Sequence, residues 1–131
     1  MRIDPILPDT SVWIDHLNGN NAHLKSAIDI GTRVLLHPYV LTELALGSLS
    51  RRYVRLREMQ RLPEPVFADL VSVRALIQGN ELWSRGLGFV DVSLLASARL
   101  TPPVTLWTSD KRLHQAALDL DVPTFNPRTF H

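Results

Sequence analysis

The strongest constraint on the fold of this chain is an alternation of short apolar runs with longer helical segments. Ile6-Leu7, Val34-Leu35-Leu36 and Val104 to Trp107 have the composition and length of short buried strands. A helical segment follows each of these three runs, and Val122 to Phe125 is predicted to add an edge strand. Strands that alternate with helices predict an α/β fold with a mostly parallel sheet.

Prolines and glycines mark the ends of the predicted helices. These helices span residues 11–17, 21–30, 38–48, 50–62, 66–78 and 89–100, with a shorter helical piece over 80–84 and a last helix that ends near Leu120. Thr10 or Ser11 is expected to cap the first helix, and Ser109 or Asp110 the last.

Length and composition exclude several classes of protein. The 131 residues suit one domain, which we take to span residues 1–131. No apolar stretch approaches the roughly 20 residues of a membrane helix, and residues 1–7 lack the apolar core of a signal peptide. The absence of cysteine excludes disulfides, thiolate zinc sites and cysteine nucleophiles. We therefore expect a cytoplasmic protein without membrane attachment, in which oxygen or imidazole ligands hold any metal.

Four acids stand where a carboxylate is costly. Asp9 ends the first predicted strand, and Asp110 follows the strand Val104 to Trp107. Glu43 lies in the middle of a nearly all-apolar helix, and Asp91 shares a helix face with three apolar residues. Because no lysine or arginine is placed by local spacing to pair with Glu43 or Asp91, a shared Mg²⁺ or Mn²⁺ ion is the simplest compensation. Carboxylates around such an ion suit phosphodiester hydrolysis.

Each acid also has an ordinary structural interpretation. Asp9 and Asp110 are suitable helix N-caps, Asp91 suits the first turn of a helix, and Glu43 could pair with a distant arginine. The net charge of +1 (14 basic and 13 acidic residues) by itself predicts no strong affinity for nucleic acid. If four acids bind metal, 14 basic residues face 9 acidic ones, a difference of +5, so an RNA substrate remains compatible with the composition.

The residues around the four acids form motifs that resemble those of PIN-domain nucleases. The motifs are Asp9 to Ile14, Thr42 to Gly47, Gly86 to Asp91 with Leu94 to Ala98, and Leu106 to Leu113. Their order and spacing resemble VapC-type toxins. The resemblance implies a three-layer fold with a short parallel sheet of about five strands flanked by helices. It also implies metal-dependent endonucleolytic cleavage of RNA by the toxin of a type II toxin–antitoxin pair, a homodimer, and a cognate antitoxin partner.

The resemblance also assigns roles to individual residues. Asp9, Glu43, Asp91 and Asp110 are expected to form the catalytic and metal-binding set, with Asp9 and Asp91 as the foremost magnesium ligands. Glu43 and Asp110 would bind a second ion or orient water. Thr108 is expected to support the pocket through its hydroxyl. The candidates for substrate binding are Thr108, Lys111 and Arg112.

Two further questions stay open at this point. Five arginines crowd the predicted helix over 50–62, where they form either a solvated face or a surface for RNA phosphate or an acidic antitoxin segment: Arg51, Arg52, Arg55, Arg57 and Arg61. An inactive PIN-like binding module and a DNA-cleaving relative remain alternatives. A phosphoacceptor receiver domain is disfavoured, because no lysine ends a strand and Glu43 would have no role there.

Overall fold

A computed structural model describes residues 4–126, which form three short strands and seven helices. Six of these helices lie between the first and the second strand, so the predicted alternation of strands and helices is only partial. The strands are β1 (Ile6–Pro8), β2 (Thr105–Trp107) and β3 (Thr124–Phe125). The helices are α1 (Thr10–Leu17), α2 (Ala22–Asp29), α3 (Pro38–Leu46), α4 (Arg52–Met59), α5 (Leu70–Gly79), α6 (Phe89–Arg99) and α7 (Lys111–Asp119). The predicted α/β architecture with a parallel sheet is confirmed.

The sheet is parallel, and β2 lies between β1 and β3. Leu7 pairs with Leu106, and both side chains are fully buried. Helix α6 packs beside this sheet with seven consecutive buried residues, 92–98, as expected for a helix that is surrounded by other elements. Within residues 4–126, no helix combines the length and the apolar character that crossing a membrane requires.

The carboxyl ends of the strands meet at one edge of the sheet. The Asp9 amide donates to the Trp107 carbonyl at 2.9 Å, and the Thr108 amide donates to the Phe125 carbonyl at 3.0 Å. Helix α1 starts directly after Asp9, and α7 starts three residues after Thr108. In open α/β sheets this edge is where ligands bind, because the chain leaves each strand there and opens a crevice.

The described residues contain three strands rather than about five. Val34 makes a single parallel bridge to Ile6, although the whole 34–36 run is buried as predicted. The run does not continue as a strand because the Leu36 amide donates to the Pro63 carbonyl at 2.9 Å instead, and Pro38 then begins α3. Burial was predictable from the apolar residues, but the pairing was not.

The helix predicted to begin at Val66 begins only with α5. The Val66 amide donates to Thr101 Oγ1 at 2.9 Å and the Ala68 amide to Ser97 Oγ at 3.2 Å, so this segment is held extended by side chains. Asp69 then caps α5. The short helix predicted over residues 80–84 is also wrong, because positive φ angles there produce turns.

A buried histidine links α3 to α6. His37 is fully buried; its Nδ1 accepts from the Tyr39 amide at 3.0 Å, and its Nε2 lies 3.1 Å from Ser97 Oγ. Since Nδ1 accepts, the neutral ring carries its proton on Nε2 and donates it to the serine. Burial lowers the pKa of His37 to about 4, so the neutral ring is the native form near pH 7.

This lowered pKa predicts a specific loss of stability in acid. Between about pH 6.5 and pH 4 the unfolded chain protonates His37 and the folded chain does not, so the free energy of unfolding falls as the pH falls. In His37→Gln that component is absent, and the stability difference between wild type and variant should shrink by roughly 1–3 kcal/mol from pH 7 to about pH 4.5. Urea denaturation at both pH values measures the free energy of unfolding of wild type and variant. His23→Gln is the control, because His23 is exposed. Parallel pH profiles for wild type and His37→Gln would show that His37 does not carry the effect.

Candidate active site

A cavity of about 510 Å³ lies at the carboxyl end of the sheet. Its walls come from the start of α1, the middle of α3, the first turn of α6 and the residue that precedes α7. All four acids singled out in the sequence line it. The full lining is Asp9, Thr10, Ser11, Ile14, Glu43, Gly88, Phe89, Val90, Asp91 and Asp110.

Asp9 is the buried centre of this site, with 5% of its surface exposed. One carboxylate oxygen accepts from the Val12 amide at 3.0 Å and from Ser11 Oγ at 2.8 Å, and the other accepts from Thr108 Oγ1. Asp9 therefore caps α1 itself, in place of Thr10 or Ser11. Burial raises the pKa of Asp9 although these hydrogen bonds lower it, and the nearby Asp110 carboxylate raises it further.

Asp91 faces the cavity from the first turn of α6. It is partly buried, and its Oδ2 accepts from the Gly88 amide at 2.9 Å. Burial raises its pKa, the Gly88 hydrogen bond opposes that effect, and the carboxylates of Asp110, Asp9 and Glu43 add repulsion. The four acids therefore lie close enough to disfavour one another's charge.

Glu43 and Asp110 lie at the exposed side of the cavity. Glu43 accepts a hydrogen bond from Thr10 Oγ1, and Asp110 caps α7 through bonds from the amides of Arg112 (2.8 Å) and Leu113 (3.4 Å). Glu43 is exposed, so the expectation that its carboxylate is costly among the apolar residues of this helix is wrong. The end of α3 is at the surface, so its apolar residues do not all face the core.

None of the four carboxylates forms an ion pair within residues 4–126. The two ion pairs in that part of the chain are Lys25–Asp29 and Arg85–Asp119, which lie outside the cavity. Over the same residues no three acidic or imidazole side chains converge tightly enough to form a preformed cation site. The donor set nevertheless fits Mg²⁺ or Mn²⁺, which prefer oxygen ligands, and a cation would remove the repulsion.

Thr108 supports the site from within the protein. Its side chain is fully buried; its Oγ1 donates to Asp9 and accepts from the Asp110 amide at 3.0 Å. One hydroxyl thus ties together two of the four acids. The hydroxyl is buried and committed to these two partners, so in this structure it holds the acids and is not exposed to a substrate.

Lys111 and Arg112 are exposed on the first turn of α7, and neither lines the cavity. The Arg112 side chain lies over Gly86, where an added Cβ would come within 2.6 Å of Arg112 Nη1. Gly86 also has a φ of +75°, which favours glycine. Arg112 therefore covers the loop that leads into Asp91 and does not point into the acid cavity.

Several residues of the site had no role in the site predicted from the sequence. Thr10 and Ser11 hold Glu43 and Asp9 through their hydroxyls, and the Gly88 amide holds Asp91. Phe89 forms a wall of the cavity. The sequence signal for the two hydroxyls was their position directly after Asp9, but their partners depend on the fold.

Comparisons with known proteins agree with this fold and site. The family model described as "PIN domain" matches residues 6–118, and the chain belongs to the PIN domain family. It is 41% identical over 117 residues to Ribonuclease VapC32 of Mycobacterium tuberculosis, in strains CDC 1551 / Oshkosh and ATCC 25618 / H37Rv. That match covers 89% of this chain and 94% of each relative. The predicted family is thereby confirmed.

A solved structure supports the fold independently. The crystal structure of FitAcB from Neisseria gonorrhoeae superposes with a TM-score of 0.65 at 22% identity. The match covers 94% of this chain and 98% of that chain. At this level of identity the likeness concerns the fold.

The repulsion in the cavity predicts that removing one charge stabilises the protein when no divalent cation is present. Because the pKa of Asp91 is raised, its charged form lowers stability near pH 7, and this cost disappears as the pH falls through that pKa. Asp91→Asn should raise the Tm by about 2–4 °C at pH 7 in EDTA, measured by calorimetry.

Asp119→Asn is the matched control for this measurement. Hydrogen bonds from Gln115 and Arg85 lower the pKa of Asp119, so its charge favours folding and the same substitution should not raise the Tm. A Tm for Asp91→Asn at or below the Asp119→Asn value would contradict the account of the cavity.

Proposed function

We propose that this protein is a metal-dependent endoribonuclease that hydrolyses RNA phosphodiester bonds as the toxin of a type II toxin–antitoxin system. The observation that carries the proposal is the cavity with four carboxylates and no ion-paired cation among the described residues. The relatives named Ribonuclease VapC32 support the reaction class and the substrate class. The choice of RNA over DNA depends on them, because carboxylates alone do not distinguish the two.

Asp9 and Asp91 are the residues best suited to hold the cation. Both are withdrawn from water and have raised pKa values, so both gain most from a positive charge in the cavity. When bound, Mg²⁺ or Mn²⁺ supplies charge neutralisation at the phosphate and lowers the pKa of water. The hydroxyl of Thr108 keeps the Asp9 carboxylate oriented towards the cavity.

Glu43 and Asp110 are proposed to act at the exposed side. Thr10 holds one Glu43 oxygen, and within residues 4–126 the other has no hydrogen-bond partner and can accept a proton from the attacking water. Asp110 is fixed as the α7 cap with one oxygen committed to backbone amides.

In the proposed reaction the oxygen of the attacking water bonds to phosphorus. The bond from phosphorus to the ribose oxygen breaks, and the ribose oxygen leaves with the bonding electrons.

Charged residues around the site are proposed to contact phosphate or a protein partner. Lys111 and Arg112 follow Asp110 directly and can meet the RNA backbone outside the cavity. Of the arginines near α4, Arg55 is partly buried and donates to the Leu17 carbonyl at 2.9 Å, whereas the others are exposed. We propose a cytoplasmic homodimer with a cognate antitoxin that blocks the cavity, as the VapC resemblance implies.

Cleavage of purified cellular RNA tests the proposal. Discrete fragments should form with Mg²⁺ or Mn²⁺ and not with EDTA, and Asp9→Asn or Asp91→Asn should lower the rate by about 10³-fold or more because a cation ligand is lost. Asp29→Asn is the matched control, since that acid pairs with Lys25 on an exposed surface.

The outcomes separate the alternatives. Equal cleavage by Asp91→Asn and wild type would show that the cation-site assignment is wrong. Metal-dependent cleavage of DNA without cleavage of RNA would identify a DNA-cleaving relative. Binding of RNA without cleavage, in a preparation that a gel shows to be free of a second protein, would identify an inactive binding module.

The exposed arginines give a separate prediction. Replacing Arg51, Arg57 and Arg61 with alanine should weaken binding of RNA or of the antitoxin about threefold to tenfold, with kcat unchanged, because these side chains lie outside the cavity. Arg55 is left intact, since its substitution would remove a hydrogen bond to α1. If the affinity for RNA and for the antitoxin is unchanged at every salt concentration, these arginines form only a solvated face.

A further inference from the structure

A threonine hydroxyl bonds to each of three acids in the cavity, whereas the fourth acid, Asp91, is held differently. Within residues 4–126 the Asp91 carboxylate accepts only from the Gly88 amide, at the start of its own helix. The carboxylates of Asp91 and Asp110 also repel each other. The position of Asp91 relative to Asp110 therefore depends on how the start of α6 is held.

The Arg112 side chain lies directly on the loop that precedes α6. A Cβ added at Gly86 would lie 2.6 Å from Arg112 Nη1, 2.8 Å from its Cδ and 3.0 Å from its Cζ, so the absence of a side chain at Gly86 permits this approach. The Arg112 amide donates to the Asp110 carboxylate at 2.8 Å. One residue thus holds Asp110 with its backbone and covers the loop that leads to Asp91 with its side chain.

A second contact joins the same loop to the last turn of α7. Arg85 Nη2 lies 2.7 Å from Asp119 Oδ2, and both side chains are partly exposed. An exposed ion pair of this kind contributes little by itself, and this one lies at the end of α7 that is remote from Asp110. Arg112 is therefore the contact that links the loop to the start of α7.

We propose that Arg112 is a positioning residue of the cation site: its side chain holds the loop at Gly86 and thereby sets the distance between Asp91 and Asp110. The inference rests on the proposed function and adds a residue that brings two of the four carboxylates together. Arg112 acts in this way before RNA binds. A contact between Arg112 and an RNA phosphate would change the affinity for RNA and not the affinity for the cation, so the two roles can be separated.

The test is a titration with Mn²⁺ in the absence of RNA, followed by electron paramagnetic resonance of the free ion. Arg112→Ala should weaken Mn²⁺ binding about tenfold, because a residue that orients the ligands is lost. The direction of the change is diagnostic, since removal of a positive charge near four carboxylates would by itself strengthen cation binding. Arg112→Met keeps a long side chain over Gly86 without the charge, so it should bind Mn²⁺ at least as tightly as wild type.

A double-mutant cycle measures the contact between Arg112 and the loop. Gly86→Ala should lower the Tm of wild type for two reasons: alanine is strained at a φ of +75°, and its Cβ displaces the Arg112 side chain. In the Arg112→Ala background only the strain remains, so the decrease should be smaller by about 2 °C or more. Equal decreases in the two backgrounds would show that Arg112 does not hold the loop, and would overturn the proposal.

Lys111→Ala is the matched control for the titration. Lys111 is exposed, carries the same charge and follows Asp110 directly, but the atoms nearest to Gly86 belong to Arg112. Lys111→Ala should bind Mn²⁺ no more weakly than wild type. Wild-type affinity for Mn²⁺ in Arg112→Ala, or an equal loss in Lys111→Ala, would overturn the proposal and leave the proposed function intact. A wild-type protein that neither binds Mn²⁺ saturably nor cleaves RNA would remove the proposed function and this inference together.

Discussion

The carboxylate of Asp9 is the interaction on which the site depends. It accepts hydrogen bonds from Val12, Ser11 and Thr108, and so joins the end of β1 and the start of α1 to the residue that follows β2. A charged group with 5% exposure is costly, and these three donors only partly offset the cost, since burial still raises its pKa. The fold therefore keeps the Asp9 carboxylate in a position where burial disfavours its charge.

The other three acids follow from the same geometry. Parallel strands end at one edge, so helices that begin there bring Asp9 and Asp110 together as caps, and the first turn of α6 adds Asp91. Glu43 lies on α3 and is joined to the other acids by the hydrogen bond that it accepts from Thr10 Oγ1, at the start of α1. In this arrangement the capping role of Asp9 and Asp110 is compatible with the proposed catalytic one, because a cap uses only part of a carboxylate's capacity to accept.

The sequence predicted what depends on local pattern. Apolar spacing predicted helices α1, α6 and α7 and strands β1 and β2. The residues around the four acids marked these acids as candidates for the site. The Thr108–Asp9 bond spans 99 residues and the Thr10–Glu43 bond spans 33, so neither has a local signal. The extended segment before α5 was missed for the same reason, since Ser97 and Thr101 hold it. Apolar content likewise predicted that residues 34–36 are buried but not which backbone groups they pair with.

Direct titration with Mn²⁺, followed by electron paramagnetic resonance of the free ion, tests the central claim that these carboxylates form a cation site. Wild-type protein should remove Mn²⁺ from solution with saturable binding, and Asp9→Asn and Asp91→Asn should each weaken that binding about tenfold or more, because each removes a charged oxygen ligand. Asp119→Asn should bind as wild type does. Saturable binding of equal strength in wild type, Asp9→Asn and Asp91→Asn would place the cation elsewhere and contradict the account.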